Sequence, residues 1–168
     1  MDERTAALVD ECRRQEESCR YTSATLFEWL KSMRRWRVAF VVVPIILSAV
    51  ATWPLFTKQE GYLWVTGTCA LLAGVMPAIY KALNFDVSLD TLSKHAHQFK
   101  TLQDRFRQAA NITALSSLDP LAAEFAKLME QMDAARAASL TPPERFFRRA
   151  QKKIAAGHYG FDVDAQGR

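Results

Sequence analysis

Two long apolar runs, each free of charge, dominate the hydropathy pattern of this chain. They are VAFVVVPIILSAVATWPLF, residues 38–56, and YLWVTGTCALLAGVMPAIY, residues 62–80. At 1.5 Å per residue, a helix over either run extends roughly 28 Å, the thickness of a bilayer's hydrocarbon core. Neither run has the one-sided period of an amphipathic helix; both are apolar all round, as a lipid-embedded helix is. The alternative is a pair of buried core helices in a soluble protein. A chain of 168 residues has too little other sequence to cover them. The connector, residues 57–61 (TKQEG), is short enough only for a tight turn. The pattern therefore predicts an antiparallel transmembrane hairpin.

The polar flanks are helical too. Cys12, Cys19, Leu26 and Met33 recur every seven residues with charges elsewhere, predicting an amphipathic helix over 5–37. No Pro or Gly interrupts it before Pro44, so it is free to run into the first span. After Tyr80, a second series reads Phe85, Leu89, Leu92, Ala96, Phe99, Gln103, Phe106, Ala110 and Thr113, alternating steps of four and three. It predicts another long helix, continuing the second span with a bend near Pro77. Asp119 and Pro120 predict an N-cap with Pro in the first helical position. The helix that follows, to about Ser139, carries Leu121, Phe125, Leu128, Met132 and Ala135 on one stripe. Thr141-Pro142-Pro143-Glu144 predicts a capping box, and a last helix from Pro142 stopping at Gly157.

No stretch alternates like a strand. The expected fold is all-α: a two-helix transmembrane hairpin continuous with a cytoplasmic helical bundle. It counts as one domain over 1–168, with cytoplasmic helices over 5–37 and 81–157, spans at 38–56 and 62–80, an outer turn at 57–61, and a tail at 158–168.

Charge sets the expected orientation. Lys31, Arg34, Arg35 and Arg37 precede the first span and Lys81 follows the second, whereas the turn holds Lys58 offset by Glu60. That bias places both termini in the cytoplasm. Trp36 and Tyr80 at the open end, with Trp53, Tyr62 and Trp64 at the turn end, form two interfacial aromatic belts. The polar first 37 residues lack the apolar core of a signal peptide, so the first span is expected to serve as the insertion signal.

Candidate chemistry is sparse. Cys12, Cys19 and Cys69 do not form a disulfide framework and read as small apolar residues. His95 and His97, two apart on a helix, point too far from one another to clasp one metal ion. There is no phosphate-cradling glycine loop, serine elbow or paired-cysteine zinc motif. No catalytic residue, metal or cofactor is expected. The spans carry no acid, base or His, which disfavours coupled transport and leaves open a passive path. Ser48, Thr52, Thr66 and Thr68 are its candidate lining. Gly67, Ala70, Gly74 and Ala78 form a small-residue stripe suited to close helix packing, either within the hairpin or between protomers. In the last helix, Arg145, Arg148, Arg149, Lys152 and Lys153 surround Phe146, Phe147, Ala150 and Ile154. This basic helix reads as a solvated face or a contact with anionic headgroups, with nucleotide binding a further alternative; nucleic acid is not the expected partner.

The chain resembles the SLATT domain, a two-span bacterial membrane module. The resemblance lies in the N-terminal helix with Tyr21 and the following LFEWL, the hairpin, the long amphipathic helix after it, and the closing AQKKIAAGHYGFD at 150–162. It implies an inner-membrane effector of a bacterial defence or conflict system, which homo-oligomerises into a pore when a partner signals infection. The chain has no nucleotide-making or nucleotide-sensing domain, so a separate signalling protein or diffusible ligand is implied. The alternative from another class is a membrane-anchored interaction module that docks a soluble partner without conductance.

Overall fold

The computed structural model describes residues 3–57, 63–83, 85–115 and 117–158, with the side chains of 54–57, 63 and 85–87 excluded. Among the described residues the fold is all-helical: α1 (Glu3–Thr57), α2 (Leu63–Ala82), α3 (Phe85–Asn111), a 3-10 turn (Thr113–Leu115), α4 (Leu118–Ala138) and α5 (Glu144–Ala155). The expected turn at 57–61 and tail at 158–168 fall almost wholly outside the described residues. The chain divides into two compact units, one formed by Met1–Leu30 with Thr91–Arg168, the other by Lys31–Asp90.

The first unit is a helical bundle whose core follows the heptads. Cys12, Cys19 and Leu26 of α1 are buried, as are Leu92, Ala96, Phe99 and Phe106 of α3. Each fully buried large apolar side chain contributes about 1.5–3 kcal/mol. Phe27 meets the edge of His97 at 5.3 Å between centroids, joining α1 to α3. Phe106 meets Phe125 at 6.2 Å, joining α3 to α4, and the Cys19 thiol lies 3.7 Å from the Met132 sulfur, joining α1 to α4. Gln103, in the polar slot of the α3 series, is buried and accepts a hydrogen bond from Lys100 Nζ at 3.1 Å.

Three helix boundaries differ from the sequence expectation. Pro77 lies inside α2, which instead ends at Ala82, with Leu83 N–H closing the last turn on Ile79 O at 3.0 Å. The second apolar run and the series after it are therefore carried by two helices, α2 and α3, rather than by one helix bent at the proline. The N-cap of α4 is Ser117, extended at φ −133° and ψ 171°, which puts Asp119 and Pro120 within the first turn. A first-turn N–H has no intrahelical acceptor, so proline costs nothing there, and an acid suits the positive end of the helix. Pro143 caps α5 without a side-chain hydrogen bond, so the expected capping box does not form. Pro143 is extended at φ −60° and ψ 140°, and its carbonyl accepts from Phe146 N–H at 3.0 Å. The other end of α5 matches expectation: Gly157 adopts φ +80°, its N–H reaches Ile154 O at 3.0 Å, and His158 N–H reaches Lys153 O at 3.1 Å. That pair of bonds satisfies two terminal carbonyls, and the positive φ suits glycine.

The second unit contains α1 from Lys31 onward, α2 and the start of α3. Two helices are long and apolar enough to cross a membrane, and only 11% of the first apolar window and 0% of the second is buried. Trp53, Trp64, Leu71 and Ile45 are each more than three-fifths exposed. Core helices of a soluble fold bury such residues. α1 passes through Pro44 without interruption, although proline removes the N–H that would bond Phe40 O.

Candidate functional site

In the second unit, the polar positions within the apolar helices are held to their own backbones. Ser48 Oγ donates to Pro44 O at 2.8 Å, Thr52 Oγ1 to Ala49 O at 2.8 Å, and Thr68 Oγ1 to Trp64 O at 2.8 Å. This back-bonding consumes each hydroxyl proton, which lets a hydroxyl sit in an apolar setting without a full desolvation penalty. Thr66 differs: its hydroxyl oxygen is buried without a hydrogen-bond partner.

Ser48 and Thr52 come together with Ala51, Ala70, Ala73 and Gly74 along an open groove of about 390 Å³. The groove unites two of the four candidate lining residues with two of the four stripe residues. Thr66, Thr68, Gly67 and Ala78 lie outside it. Ala51 and Ala73, absent from the sequence-based set, complete it; an alanine within an apolar run carries no signal distinguishing a groove from a lipid face. At Gly67 and Gly74, an added Cβ would meet no described atom within 4 Å. Within one chain, then, neither glycine is needed for close approach.

The rings of Trp36, Phe40 and Tyr80 form a ladder with successive centroids 6.3 Å apart, carrying the aromatic belt from α1 to α2. Tyr62 of the other belt lies outside the described residues.

In the first unit, α5 docks through Phe146, Ala150 and Ile154, all buried, with Ala24 and Tyr21 of α1 packed against the latter two. Phe146 stacks on Trp29 at 6.3 Å and an interplanar angle of 19°. Phe147, which the sequence places on the same side, is 44% exposed and lies tilted by 37° against Tyr21 at 6.3 Å. Successive helical residues point about 100° apart, so just one of the two adjacent phenylalanines reaches the core.

The five basic residues of α5 divide by role. Lys153 Nζ lies 2.7 Å from Glu28 Oε1, whose side chain is 7% exposed, so this cation neutralises a buried carboxylate across two helices. Arg148 pairs along the helix with Glu144 at 2.7 Å, both well exposed. The Arg145 and Arg149 guanidinium carbons lie 4.8 and 5.8 Å from the Phe146 ring centroid, and Lys152 is exposed. Glu28 was not legible as a partner, because acids on amphipathic helices ordinarily face water.

Burial raises the thiol pKa of Cys12, with the Glu11 carboxylate adding to the effect. Cys19 is pushed up to about 11 by burial, opposed by the positive charge of Arg136 and reinforced by Glu16. Both thiols are therefore protonated, and poorly nucleophilic, at neutral pH. His95 Nδ1 is buried without a hydrogen-bond partner. Among the described residues, no group of three or more His, Cys, Asp or Glu side chains is arranged to hold a metal ion. An open depression of about 460 Å³ is lined by Arg105, Gln108, Ala109, Thr113, Pro120 and Glu124.

No family model, curated protein or solved structure matches this chain.

Proposed function

We propose that the chain is an integral membrane effector whose helices 38–56 and 62–80 cross the bilayer as an antiparallel hairpin, with both termini in the cytoplasm. The observation that carries this reading is the exposure of two helices bearing charge-free apolar runs, 11% and 0% buried in their most apolar windows. In water that surface would drive aggregation; in lipid it is the ordinary outer face of a span. Antiparallel packing is supported by the Phe40–Tyr80 ring contact and by the groove, which sets Ser48, Ala51 and Thr52 opposite Ala70, Ala73 and Gly74.

Two helices do not enclose a channel, so conductance requires several protomers around an axis. Glycines with free space at Cβ and a groove lined by small and hydroxylated side chains provide a surface where a second copy's helix approaches closely. The reading is a homo-oligomeric, gated, passive pore that breaches the inner membrane. The resemblance to SLATT modules adds the biological setting, a bacterial defence or conflict system with a separate signalling partner. A second reading, a membrane-anchored docking module without conductance, draws on the bundle's own well-packed core.

Dye release from reconstituted vesicles, measured alongside oligomeric mass in nanodiscs, tests the proposal. Leakage that rises with oligomer content supports the pore. Tight vesicles containing monomers or dimers, under every candidate trigger, refute it and favour the docking module. Gly74→Leu should reduce oligomer mass and leakage through its bulk, with Gly74→Ala, whose added Cβ meets nothing within 4 Å in the single chain, as the milder comparison. Unchanged oligomer mass in the Gly74→Leu variant removes the groove from the assembly surface.

A further inference from the structure

Ion pairs use only two of the five cations on α5, Arg148 with Glu144 along the helix and Lys153 with Glu28 of α1. Arg145, Arg149 and Lys152 are exposed and form no ion pair with a described residue. The two guanidinium groups lie against the Phe146 ring, a contact that leaves their charge in place. In sequence, no acid occurs between Glu144 and Asp162, which lies outside the described residues. At about 100° per residue, the three cations project within an arc of about 60° and form a stripe about 10 Å long.

The docking contacts orient this stripe within the bundle. One edge of α5 meets α1 at Glu28 and Trp29, through Lys153 and Phe146. The other edge meets Tyr21 through Phe147. The stripe adjoins the Lys153 edge, with Arg149 about 40° from Lys153 around the helix. It is thus displaced along α1 from Tyr21 toward Leu30, where α1 leaves the bundle and continues into the apolar run. All three side chains stand on a convex, exposed helix face, with no buried wall to enclose a single small anion. A row of cations on such a face complements a sheet of phosphate groups.

We infer that Arg145, Arg149 and Lys152 are a contact surface for the headgroups of anionic phospholipids, and hold α5 against the bilayer in which the chain is anchored. The inference rests on the membrane-spanning reading above, under which α1 carries this end of the bundle toward lipid. Each basic residue seated at an anionic lipid surface is worth up to about fivefold in association. Arg148 and Lys153, already neutralised within the chain, contribute less.

The test uses the full chain carrying Cys69→Ser and Ala155→Cys, with a fluorophore at position 155, which is exposed; Cys12 and Cys19 are buried. It is placed in phosphatidylcholine nanodiscs with or without phosphatidylglycerol, each doped with phosphatidylcholine bearing a nitroxide on its headgroup. Quenching should be at least about twofold stronger with phosphatidylglycerol, and the difference should vanish in high salt. Arg145→Gln, Arg149→Gln, Lys152→Gln should abolish most of it, and Lys152→Gln alone, which removes no ion pair within the chain, should lower it partway. Arg145→Lys, Arg149→Lys keeps the charge while giving up the guanidinium contact with Phe146, and should retain the effect. Its loss in that variant would show a structural role instead. Equal quenching with and without phosphatidylglycerol, or a difference unchanged by the triple substitution, overturns the contact surface and leaves the spans in place. A chain that does not enter nanodiscs at all overturns the membrane reading and the contact with it.

Discussion

Replacing Phe146 with Ala should release α5 from the bundle without unfolding the rest. α5 has 12 residues, and an isolated helix of that length is marginal in water, so it persists by docking. The docked face consists of Phe146, Ala150 and Ile154, with the Lys153–Glu28 ion pair beside them. Phe146 is 1% exposed and stacks on Trp29, so its truncation removes the largest apolar contribution. Buried Phe→Ala changes cost about 3–5 kcal/mol, and the low end applies here because a terminal helix relaxes more freely than a central one. A loss of about 3 kcal/mol lowers the closing equilibrium by roughly a hundredfold. Hydrogen exchange followed by mass spectrometry on the full chain in detergent should show that increase across Glu144–Ala155, with α3 and α4 little changed. Trypsin offers a second view, since Arg145, Arg148, Arg149, Lys152 and Lys153 all lie on this helix. Phe147→Ala is the matched control, and at 44% exposure it should cost less than about 1 kcal/mol. Equal effects from the two substitutions, or acceleration spread evenly over the bundle, would refute the docking argument.

The ion pair and the buried thiols yield two further expectations. Lys153→Met leaves the Glu28 carboxylate buried beside an apolar side chain, at a cost of about 1–3 kcal/mol, while Glu28→Gln keeps an acceptor for a half-exposed ammonium and costs less. Exchange rates in α5 that rank the two variants the other way would contradict the assigned burial. The folded Cys19 thiol holds its proton to about 11, whereas an ordinary thiol releases it near 9.0, so its contribution to stability is complete below 9.0 and declines as pH rises toward 11. Cys19→Ala should flatten that alkaline decline in thermal melts, apart from a pH-independent packing loss. An identical pH slope in both proteins would show that another group controls it.

Much of the architecture is local information. The two apolar runs and the two heptad series rest on side-chain periodicity, which a helix converts directly into faces; Cys12, Cys19, Leu26, Leu92, Phe99 and Phe106 are all buried as the spacing requires. The C-terminal stop of α5 was equally legible, because the left-handed conformation at Gly157 is a property of glycine itself. Helix starts were less so: Asp119-Pro120 and Thr141-Pro142-Pro143-Glu144 each admit more than one register, and neighbouring contacts settle which residue becomes the cap. Pairing across helices was not legible at all. Phe146 and Phe147 are chemically alike and adjacent, yet Trp29 receives just one of them. Glu28 looks like any surface acid until Lys153, 125 residues away, comes within 2.7 Å. The same holds in the apolar unit, where Ser48 and Thr52 share a groove with Gly74 but Thr66 and Thr68 do not. A sequence determines which face of a helix is apolar; which helix covers that face, and at what depth, depends on distances that exist only once the chain has folded.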